Sequence, residues 1–474
     1  MPKYNKIYLI GKSSKSWAIG LDLINSSSKK DDCILILDTS KLQNGLPISL
    51  ARRKFERRIL STFENIKVIK MRWSIKDFIN LFHNSFFVNI EDLVSEVLNQ
   101  NSLDTKSHLV RASLAAKYGT DTFVRSDIKK FDVLFNILVI NKIEKLLRSF
   151  DFSEQTNFWC FNGRKIYESS FLLFAKDNQY VTKIYERASS SNKYEIYDKS
   201  PHSNEEWWAK IDKFDMQNHD ESEMTQKAKI YLEKKSKGID PFENIKWIKH
   251  MRNETHIDDL IKKPYIVFYS VSTSEVSPFH EFNTKIGYPN QFEALEDLIS
   301  VAKELNLLLV IRRHPNSVGL DGVDREHKQW LKYINDANIL YLAPTSKINS
   351  YRLAENCKIA FTWRSTIGLE LSYMNVPIYS LGPSKWAINE SQRAFSKKKI
   401  REVIEIKPSI NMEYIYKFAK YISNFGTTSS LFSQIERWGV QYDDKFIYNQ
   451  TGIRVLTFIK YNLYYRYKKI WKLK

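Results

Sequence analysis

Three potential cations stand side by side in the second half of the sequence, directly after the apolar residues 308–311. They are Arg312, Arg313 and His314, and Pro315 and Asn316 follow them. Guanidinium groups offer a planar pair of donors and imidazole a donor whose charge changes near neutral pH, so the cluster suits a phosphate or a carboxylate. A proline restricts the residue before it to an extended backbone, which presets the direction of the His314 imidazole. We interpret these residues as part of an anion-binding site.

A second polar cluster opens a predicted helix, and its candidate site residues are Arg364, Ser365, Thr366, Gly368 and Glu370. Ser365 and Thr366 would cap that helix, where backbone N–H groups and the positive end of the helix dipole can hold a phosphate. Gly368 would let backbone or a ligand approach closely, and Glu370 could accept hydrogen bonds from a ribose. An ordinary helix N-terminus explains Ser365 well and Glu370 in part, but it does not explain why two such clusters follow neighbouring strands.

The loop over residues 270–275 also follows an apolar run, residues 265–269, and consists almost wholly of hydroxyl and carboxylate side chains. The carboxyl ends of parallel strands meet at one edge of a sheet, which is where open α/β sheets bind their ligands. Ser270, Ser272 and Glu275 are therefore further candidates for the same anion-binding site.

Polar residues also follow two predicted strands in the first half of the chain: Asn162, Arg164, Glu186 and Arg187. If two sheets face each other across a cleft, these residues oppose the anion-binding site and belong to an acceptor side. Glu186 is then the best-placed general base, which needs to lie within about 3 Å of the hydroxyl group it deprotonates. A structural ion pair of Glu186 with Arg187 or with Arg164 explains the same residues.

Apolar strands that run into polar loops, alternating with amphipathic helices, predict an α/β fold with parallel sheets. A chain of 474 residues exceeds what one core usually fills, so we expect two domains. We predict a first domain over residues 1–191, a charged connection over 192–263, a second domain over 264–440 and a basic aromatic helix over 441–474.

The net charge of +19 fits nucleic acid, anionic lipid, an anionic small substrate, or simply a lysine-rich composition. The basic residues are dispersed and form no recognition motif, which argues against nucleic acid. Three widely spaced cysteines argue against a disulfide framework and against a cysteine zinc site, and they fit a reducing cytoplasm. No apolar run is long enough for a membrane span or a signal peptide, so we expect a cytoplasmic or peripheral protein.

The last 25 residues, 450–474, interleave aromatic and aliphatic side chains with lysines and arginines. A basic aromatic helix of this kind can lie on an anionic membrane surface, which would place the protein at the inner face of the plasma membrane. The same helix could instead cross back and pack against both domains. The two interpretations do not exclude each other.

Several of these motifs occur together, in a fixed order, between residues 161 and 382. They are Phe161-Asn162-Gly163-Arg164, Tyr185-Glu186-Arg187 with Pro201 and His202, the loop 270–275, Ile311 to Asn316, and Trp363 to Glu370 with Pro377 and Gly382. In this combination the chain resembles the bacterial capsular polysaccharide biosynthesis glycosyltransferases, which include the Kdo transferases of capsule and lipopolysaccharide assembly. One departure is Ala188, because a glycine usually follows the Glu-Arg pair in that family.

The resemblance implies a GT-B architecture, in which two Rossmann-like domains face each other across a cleft. It places a nucleotide-sugar donor of the CMP type in the second domain and the acceptor in the first. His314 with Arg312 or Arg313 would bind the donor phosphate, and His314 would stabilise the leaving nucleotide. Ser365 and Thr366 would bind phosphate or base, and Glu370 the ribose. Such enzymes need no metal and no cofactor beyond the nucleotide-sugar, and the sequence has no Asp-x-Asp metal motif in a suitable place.

The function that these expectations predict is a glycosyltransferase of capsule or lipopolysaccharide biosynthesis, acting on a saccharide or lipid-linked acceptor. A CDP-glycerol-type phosphotransferase and a UDP-sugar 2-epimerase would share the fold and the phosphate site. An inactive scaffold for polysaccharide assembly would share the fold alone. A panel of nucleotides distinguishes these alternatives, because a ligand of the native state raises the melting temperature.

Overall fold

The chain divides into two compact units. The computed structural model describes residues 3–29, 31–40, 49–74, 94–95, 105–118, 128–215, 221–236, 261–272, 287–317, 326–387, 390–406, 412–436, 439–443 and 445–448. Unit 1 comprises Met1–Leu93, Lys130–Pro201 and Phe425–Lys474, and unit 2 comprises Val94–Lys129 and His202–Asn424.

Both units alternate strands and helices along the chain. The described strands are β1 (Tyr4–Ile10), β2 (Ile34–Asp38), β3 (Ile66–Lys70), β4 (Phe152–Phe161), β5 (Val181–Arg187), β6 (Lys193–Tyr197), β7 (Tyr265–Tyr269), β8 (Leu308–Arg312), β9 (Ile339–Leu342), β10 (Ala360–Thr362), β11 (Ile378–Ser380), β12 (Thr427–Thr428), β13 (Gln434–Ile435), β14 (Gly439–Tyr442) and β15 (Lys445–Tyr448). The described α-helices are α1 (Ser14–Ser27), α2 (Leu50–Leu60), α3 (Thr105–Tyr118), α4 (Lys130–Leu147), α5 (Ile166–Asp177), α6 (Asn204–Asp215), α7 (Glu221–Ser236), α8 (Gln291–Glu304), α9 (His327–Ile334), α10 (Ser350–Glu355), α11 (Ile367–Tyr373), α12 (Lys397–Ile406) and α13 (Met412–Asn424).

The described residues of unit 1 form a seven-stranded sheet in the order β12-β6-β5-β4-β1-β2-β3. Strands β1 to β5 run parallel, while β6 and β12 add antiparallel neighbours at one edge. Counted along the chain, the parallel strands stand in the order 3-2-1-4-5, which is that of a Rossmann-like sheet. Every residue of β2 is buried, as expected of a parallel strand covered on both faces.

The described residues of unit 2 form a five-stranded, wholly parallel sheet in the order β11-β10-β7-β8-β9. Counted along the chain from β7, this is again the order 3-2-1-4-5, and it reverses between β7 and β10. In open α/β sheets the ligand binds outside the carboxyl ends of the strands at that reversal. The core between this sheet and helices α8, α9 and α12 is aliphatic and aromatic, with Trp330 fully buried.

The predicted α/β class with two Rossmann-like sheets in one chain is therefore confirmed. The arrangement of the two domains across a cleft stays a prediction. Residues 449–474, which hold most of the predicted C-terminal helix, lie outside the described residues. No helix among the described residues combines the length and the apolar character needed to span a membrane.

The predicted domain boundaries differ from the observed units at four places. Val94–Lys129, predicted within the first domain, belongs to unit 2. Residues 193–197 form β6 and extend the first sheet, so unit 1 continues past residue 191. In the predicted connection, α6 and α7 pack against α13 and belong to unit 2, while residues 237–260 lie outside the described part of the chain. The second domain ends before residue 440, because the chain from Phe425 onwards belongs to unit 1.

The return of the chain to unit 1 is anchored on a buried carboxylate of α1. Asp22 Oδ1 accepts hydrogen bonds from the hydroxyl groups of Ser429 and Ser430, at 3.0 and 2.9 Å, and from the backbone N–H of Leu431, at 2.8 Å. Strands β13, β14 and β15 then form a three-stranded antiparallel sheet whose apolar residues join the core under α1 and α2. Residues 441–442 and 445–448 are therefore strand, which corrects the first part of the helix predicted over 441–474.

Candidate functional site

The candidate site residues of unit 2 collect at the carboxyl edge of its sheet. Arg312 on β8 and Thr362 on β10 lie in register on either side of Tyr269 on β7. Neighbouring strands are about 4.8 Å apart, so the backbones of Arg312 and Thr362 are about 10 Å apart at this edge. The residues that follow the three strands therefore surround the point where the strand order reverses.

Arg312 is a buried cation held by neutral oxygens. Its Nε donates to Ser350 Oγ at 3.2 Å, and its two terminal nitrogens donate to the carbonyl oxygens of Ala343 at 2.9 Å and Ser346 at 3.3 Å. Only 3% of the residue is exposed, and burial lowers the pKa of its guanidinium to about 10. Within the described part of the chain, no carboxylate lies close enough to Arg312 to form an ion pair. The side chain is thus still charged at neutral pH and lacks a described counter-charge.

Arg364, which follows β10, is a second cation at this edge, and the residue is half-buried. Its Nη1 is shielded from solvent and has no hydrogen-bond partner among the described residues. The guanidinium carbon lies 5.6 Å from the centre of the Trp363 ring, and burial lowers the pKa of the guanidinium to about 10. A buried charged nitrogen without a hydrogen-bond partner is costly, and an anion bound beside it would offset that cost.

Arg313 has a different environment from its neighbour Arg312. Its guanidinium is fully buried, donates to Glu326 Oε2 at 3.0 Å and to the Tyr341 hydroxyl at 2.7 Å, and lies 4.4 Å from the centre of the Trp330 ring. Successive side chains of an extended chain point to opposite faces, which accounts for the separation of the two arginines. The structure therefore places Arg313 in a buried ion pair inside unit 2, and Arg312 is the arginine of the pair without a described acidic partner.

Ser272 belongs to the same buried network as Arg313. Its hydroxyl donates to Glu326 Oε1 at 3.0 Å, and the Ser317 hydroxyl donates to Glu326 Oε2 at 3.1 Å. Glu326 is completely buried. This network ties the loop after β7 to the turn after β8, so Ser272 has a structural partner where the sequence analysis predicted a donor contact.

His314 is half-buried at the start of the turn after β8. Its backbone N–H donates to Ser270 Oγ at 2.9 Å, and its carbonyl oxygen accepts from the Ser317 N–H at 3.0 Å, which closes the short 3-10 turn Pro315–Ser317. Ser270 thereby fixes the backbone from which the imidazole projects. The side chain of Asn316 and the whole of Glu275 lie outside the described residues.

The second polar cluster is less regular than a standard helix cap. Helix α11 has only seven residues, and Thr366 at its N-cap makes no capping hydrogen bond with its side chain. Ser365 Oγ accepts from the Ile367 N–H at 3.4 Å, and the Ser365 N–H donates to Thr362 Oγ1 at 3.0 Å. Thr366 is exposed and Ser365 half-buried, so both hydroxyl groups stay within reach of solvent at the carboxyl edge.

Gly368 serves a packing contact that the sequence did not reveal. A Cβ atom at this position would lie 2.0 Å from Cζ2 of Trp386, whose indole N–H donates to the Ser365 carbonyl oxygen at 2.9 Å. The expectation that Gly368 admits backbone or a ligand is therefore corrected, because a side chain occupies that space. The sequence gave no indication of Trp386. A glycine in the first turn of a helix indicates that another group packs closely against it, but not which residue supplies that group.

Glu370 is buried and accepts a hydrogen bond from the Tyr351 hydroxyl. Burial, and next the Glu370 carboxylate, raise the pKa of the Tyr351 hydroxyl well above its ordinary value. Ser350, the neighbour of Tyr351, contacts Arg312 and accepts from the Tyr269 hydroxyl at 2.7 Å. The start of α10 thus links Arg312 and Glu370, the predicted phosphate and ribose contacts.

The predicted acceptor-side residues of unit 1 are also brought together. Asn162 Nδ2 donates to Glu186 Oε2, and Arg164 Nε donates to Asn162 Oδ1 at 2.8 Å. Glu186 Oε1 accepts from the backbone N–H of Arg187 at 2.9 Å. Asn162 adopts a positive φ of 62°, a conformation that asparagine tolerates better than most residues. These contacts hold the Glu186 carboxylate in a fixed direction, as a base or a structural group would require.

The departure at Ala188 is explained by a glycine elsewhere in the chain. Ala188 is buried, and a Cβ atom at Gly426 would lie only 2.2 Å from the Ala188 methyl group. Gly426 has a φ of +99°, which favours glycine in any case. The methyl group at residue 188 therefore fills space that residue 426 leaves open.

Glu168 is a site candidate that the sequence analysis missed. It lies on the first turn of α5, directly after the loop of Asn162 and Arg164, and is 6% exposed. Its Oε2 has no hydrogen-bond partner in the described part of the chain, and burial raises the pKa of its carboxyl group to about 7. The available signal was one acidic residue on the inward face of a largely apolar helix, at helical spacing from the buried Phe171 and Ala175.

No three His, Cys, Asp or Glu side chains among the described residues are grouped so that they could hold a metal ion. The three cysteines are free thiols.

No family model matches the sequence, and comparison with curated proteins gives no match. Among solved structures, the chain is similar to KpsC of Thermosulfurimonas dismutans, in a structure described as a beta Kdo 2,4 transferase. That match has 10% identity, covers 56% of this chain and 78% of that one, and has a TM-score of 0.39.

Two further solved structures are similar over most of the chain. The beta Kdo 2,7 transferase structure of the same KpsC shares 13% identity over 68% of this chain and 90% of that one, with a TM-score of 0.33. The UDP-GlcNAc 2-epimerase of Neisseria meningitidis shares 13% identity over 96% and 99%, with a TM-score of 0.27. Similarities at this level do not bear on the chemistry of the site.

Proposed function

We propose that this protein is a metal-independent glycosyltransferase of capsule or lipopolysaccharide biosynthesis that uses a nucleotide-sugar donor, of the CMP-sugar type. The observation that carries the proposal is the pair Arg312, which is buried, and Arg364, whose Nη1 is buried; neither has a described acidic partner. They flank β7 at the carboxyl edge of a Rossmann-like sheet, where the strand order reverses. That position and that charge fit the phosphate of a nucleotide.

In the proposed reaction, Arg312, Arg364 and His314 act on the leaving group. The bond between the anomeric carbon and the donor phosphate oxygen breaks, and its electron pair remains on the phosphate. Arg312, Arg364 and His314 stabilise this growing negative charge, and donors that are already in position do so without the cost of reorganisation. The acceptor oxygen forms the new bond to the anomeric carbon, and its proton passes to the Glu186 carboxylate.

The choice of a CMP-type donor rests on the resemblance of the His314-Pro315 motif and of Ser365 and Thr366 to the transferases named above. If the protein were instead a CDP-glycerol-type phosphotransferase or a UDP-sugar 2-epimerase, the phosphate contacts would be the same and the rest of the bound ligand would differ. The basic residues 450–474 suit an acceptor that carries lipid or acidic groups at the inner face of the plasma membrane.

A thermal-shift panel of CMP, CDP, UDP and GDP tests the proposal, because a ligand that binds only the native state raises its melting temperature. We expect CMP and CMP-sugars to raise the melting temperature most. A rise with UDP alone would overturn the donor assignment in favour of the epimerase. If no nucleotide raised the melting temperature, the assignment as an enzyme would be overturned and the inactive scaffold for polysaccharide assembly would be favoured.

A further inference from the structure

Helix α2 exposes a row of cations on the surface of unit 1. Three of its side chains are buried: Arg52, Phe55 and Ile59. Its exposed side chains include a leucine and three cations, which recur at helical spacing and therefore share one side of the helix: Leu50, Lys54, Arg57 and Arg58. The helix thus turns a strongly basic side to its surroundings.

These cations have no described counter-charge. The acidic residue of α2, Glu56, is ion-paired with the buried Arg52 at 2.6 Å. Lys54, Arg57 and Arg58 form no ion pair with any residue that the structure describes. The positive charge of this side is therefore not neutralised within the described part of the chain.

Helix α12 of unit 2 offers a comparison. Its cations Lys397 and Arg401 are ion-paired with Glu304, and Lys399 is ion-paired with Glu402. Both helices are rich in lysine and arginine. The three cations of α12 have acidic partners, whereas the exposed cations of α2 have none among the described residues.

Strands β14 and β15 run along α2 and extend its basic side. At the start of the helix, the hydroxyl of the N-cap residue Ser49 donates to the Tyr448 carbonyl oxygen at the end of β15. At the other end, the Arg58 guanidinium carbon lies 4.9 Å from the centre of the Tyr442 ring, and Tyr442 pairs with Lys445 across the hairpin. Lys445 is exposed, so it adds a further cation near Arg58.

Two apolar side chains are exposed among these cations. Leu50 at the start of α2 is 70% exposed, and Phe446 on β15 is 37% exposed. We call the six exposed residues of α2 and β15 the basic patch: Leu50, Lys54, Arg57, Arg58, Lys445 and Phe446.

The helix dipole explains only part of the basic patch. Arg57 and Arg58 lie in the last turn of α2, where cations interact favourably with the negative end of the dipole. Lys54 precedes that turn, and the exposed Leu50 gains nothing from the dipole. An anionic membrane surface would use both kinds of residue, because its headgroups attract the cations and its interface takes up apolar side chains. The phosphates of a nucleic acid would bind the cations but would offer Leu50 no apolar environment.

We propose that the basic patch of unit 1 is a docking surface for the anionic lipid headgroups of a membrane. Tyr448 is the last described residue, and the basic residues 450–474 follow it closely in the sequence, so the patch lies where that segment begins. The docking surface consists of described residues of unit 1. It depends neither on the transferase assignment nor on the membrane role predicted for residues 450–474.

The test is co-sedimentation of the full chain with vesicles of phosphatidylglycerol and phosphatidylcholine in equal amounts. A patch variant combines Lys54→Gln, Arg57→Gln and Lys445→Gln, and glutamine keeps the helix propensity of lysine and arginine. We expect this variant to bind the vesicles about tenfold or more weakly than the natural protein, because each cation near an anionic surface contributes to binding.

A matched variant separates the patch from the net charge. Lys397→Gln, Lys399→Gln and Arg401→Gln together remove three cations from α12, so the two variants lose the same charge. We expect the α12 variant to bind the vesicles like the natural protein. Equal losses in the two variants, or a patch variant that binds like the natural protein, would overturn the proposal.

Leu50→Ser tests the choice of a membrane over a nucleic acid. We expect it to weaken vesicle binding at high salt, where the attraction between charges is screened and the apolar contact remains. Binding of a poly-uridylate RNA should not respond to this change. Tighter binding of the natural protein to this RNA than to the vesicles, together with vesicle binding that ignores Leu50→Ser, would assign the patch to nucleic acid and overturn the proposal. Vesicle binding needs no nucleotide, so none of these results decides the transferase assignment.

Discussion

At the scale of single residues, the adjacent arginines Arg312 and Arg313 differ in their environments. Both follow one buried apolar run and have the same chemistry, yet one is held by neutral oxygens and the other by Glu326. The sequence predicted cations at this edge, but it could not tell which arginine has an internal partner. Arg313 has the internal partner because it pairs with Glu326, which lies at the start of α9 and not on a strand of the sheet.

Replacing His314 with alanine should reduce kcat for sugar transfer about a hundredfold, the usual effect of removing one donor from a developing negative charge. The measurement is the transfer rate from a labelled donor at saturating concentrations. Circular dichroism of the variant serves as the control for folding, and Ser270 supports the backbone of residue 314 in both proteins. A variant that transfers sugar at the natural rate would remove His314 from the mechanism.

Glu168 should make the stability of the protein depend on pH. Its pKa is raised from 4.5 to about 7 on folding, so the native state binds more protons between these values. The stability is therefore fully present below pH 4.5 and decreases as pH rises towards 7, by about 3 kcal/mol in total. Urea unfolding from pH 5 to 8 should show this decrease in the natural protein and a smaller one in Glu168→Gln. Equal slopes in the two proteins would contradict the raised pKa.

At the scale of elements, helix α11 is held in place by Trp386 as much as by its own capping residues. The indole lies against Gly368 and donates to the Ser365 carbonyl oxygen, so it fixes both sides of the helix start. The polar cluster that the sequence assigned to a ligand is thus positioned by a residue some twenty places further along the chain. The geometry of this polar cluster therefore depends on the position of the loop after β11, which carries Trp386.

Gly368→Ala should destabilise the protein by about 1 to 3 kcal/mol, because the new methyl group overlaps the Trp386 ring. The measurement is the midpoint of urea unfolding. In a protein that already carries Trp386→Leu, the same change should cost clearly less, because residues in contact are not additive. An equal cost in both backgrounds would show that the indole does not restrict residue 368.

Much of the element order could be predicted from the sequence, because each parallel strand is a short apolar run followed by a polar loop. The runs before Arg312 and Arg364 illustrate this, and both are central strands of the second sheet. The return of residues 425–448 to unit 1 could not be predicted. It depends on hydrogen bonds to Asp22, more than 400 residues earlier, and local patterns carry no information on such pairs.

At the scale of the whole molecule, two sheets of the same strand order carry different chemistry at their carboxyl edges. Unit 2 presents Arg312 and Arg364, which suit an anion, and unit 1 presents Glu186 held by Asn162. In the proposed reaction, unit 2 would stabilise the charge on the leaving group and unit 1 would supply the proton acceptor.

The net charge of +19 should also matter for the whole molecule, through the basic residues 450–474. We expect the full chain to bind liposomes containing anionic lipid, and a chain that ends at residue 449 to bind them more weakly. The measurement is co-sedimentation at low and high salt, because the attraction is screened by added ions. Unchanged liposome binding of the shortened chain would remove the membrane part of the account.

The central claim is that unit 2 binds a nucleotide phosphate through Arg312 and Arg364, and calorimetric titration with CMP tests it most directly. Arg364→Met should weaken CMP binding tenfold or more, since hydrogen bonds to charged groups contribute about 1.5 to 3 kcal/mol. The ligand-free variant should melt no lower than the natural protein, because it removes a buried charged nitrogen that has no described hydrogen-bond partner. Arg401→Met changes a partly exposed arginine of the same unit, which is ion-paired with Glu304, and this variant should bind CMP normally. Equal CMP affinity in Arg364→Met, or no binding of CMP by the natural protein, would contradict the account.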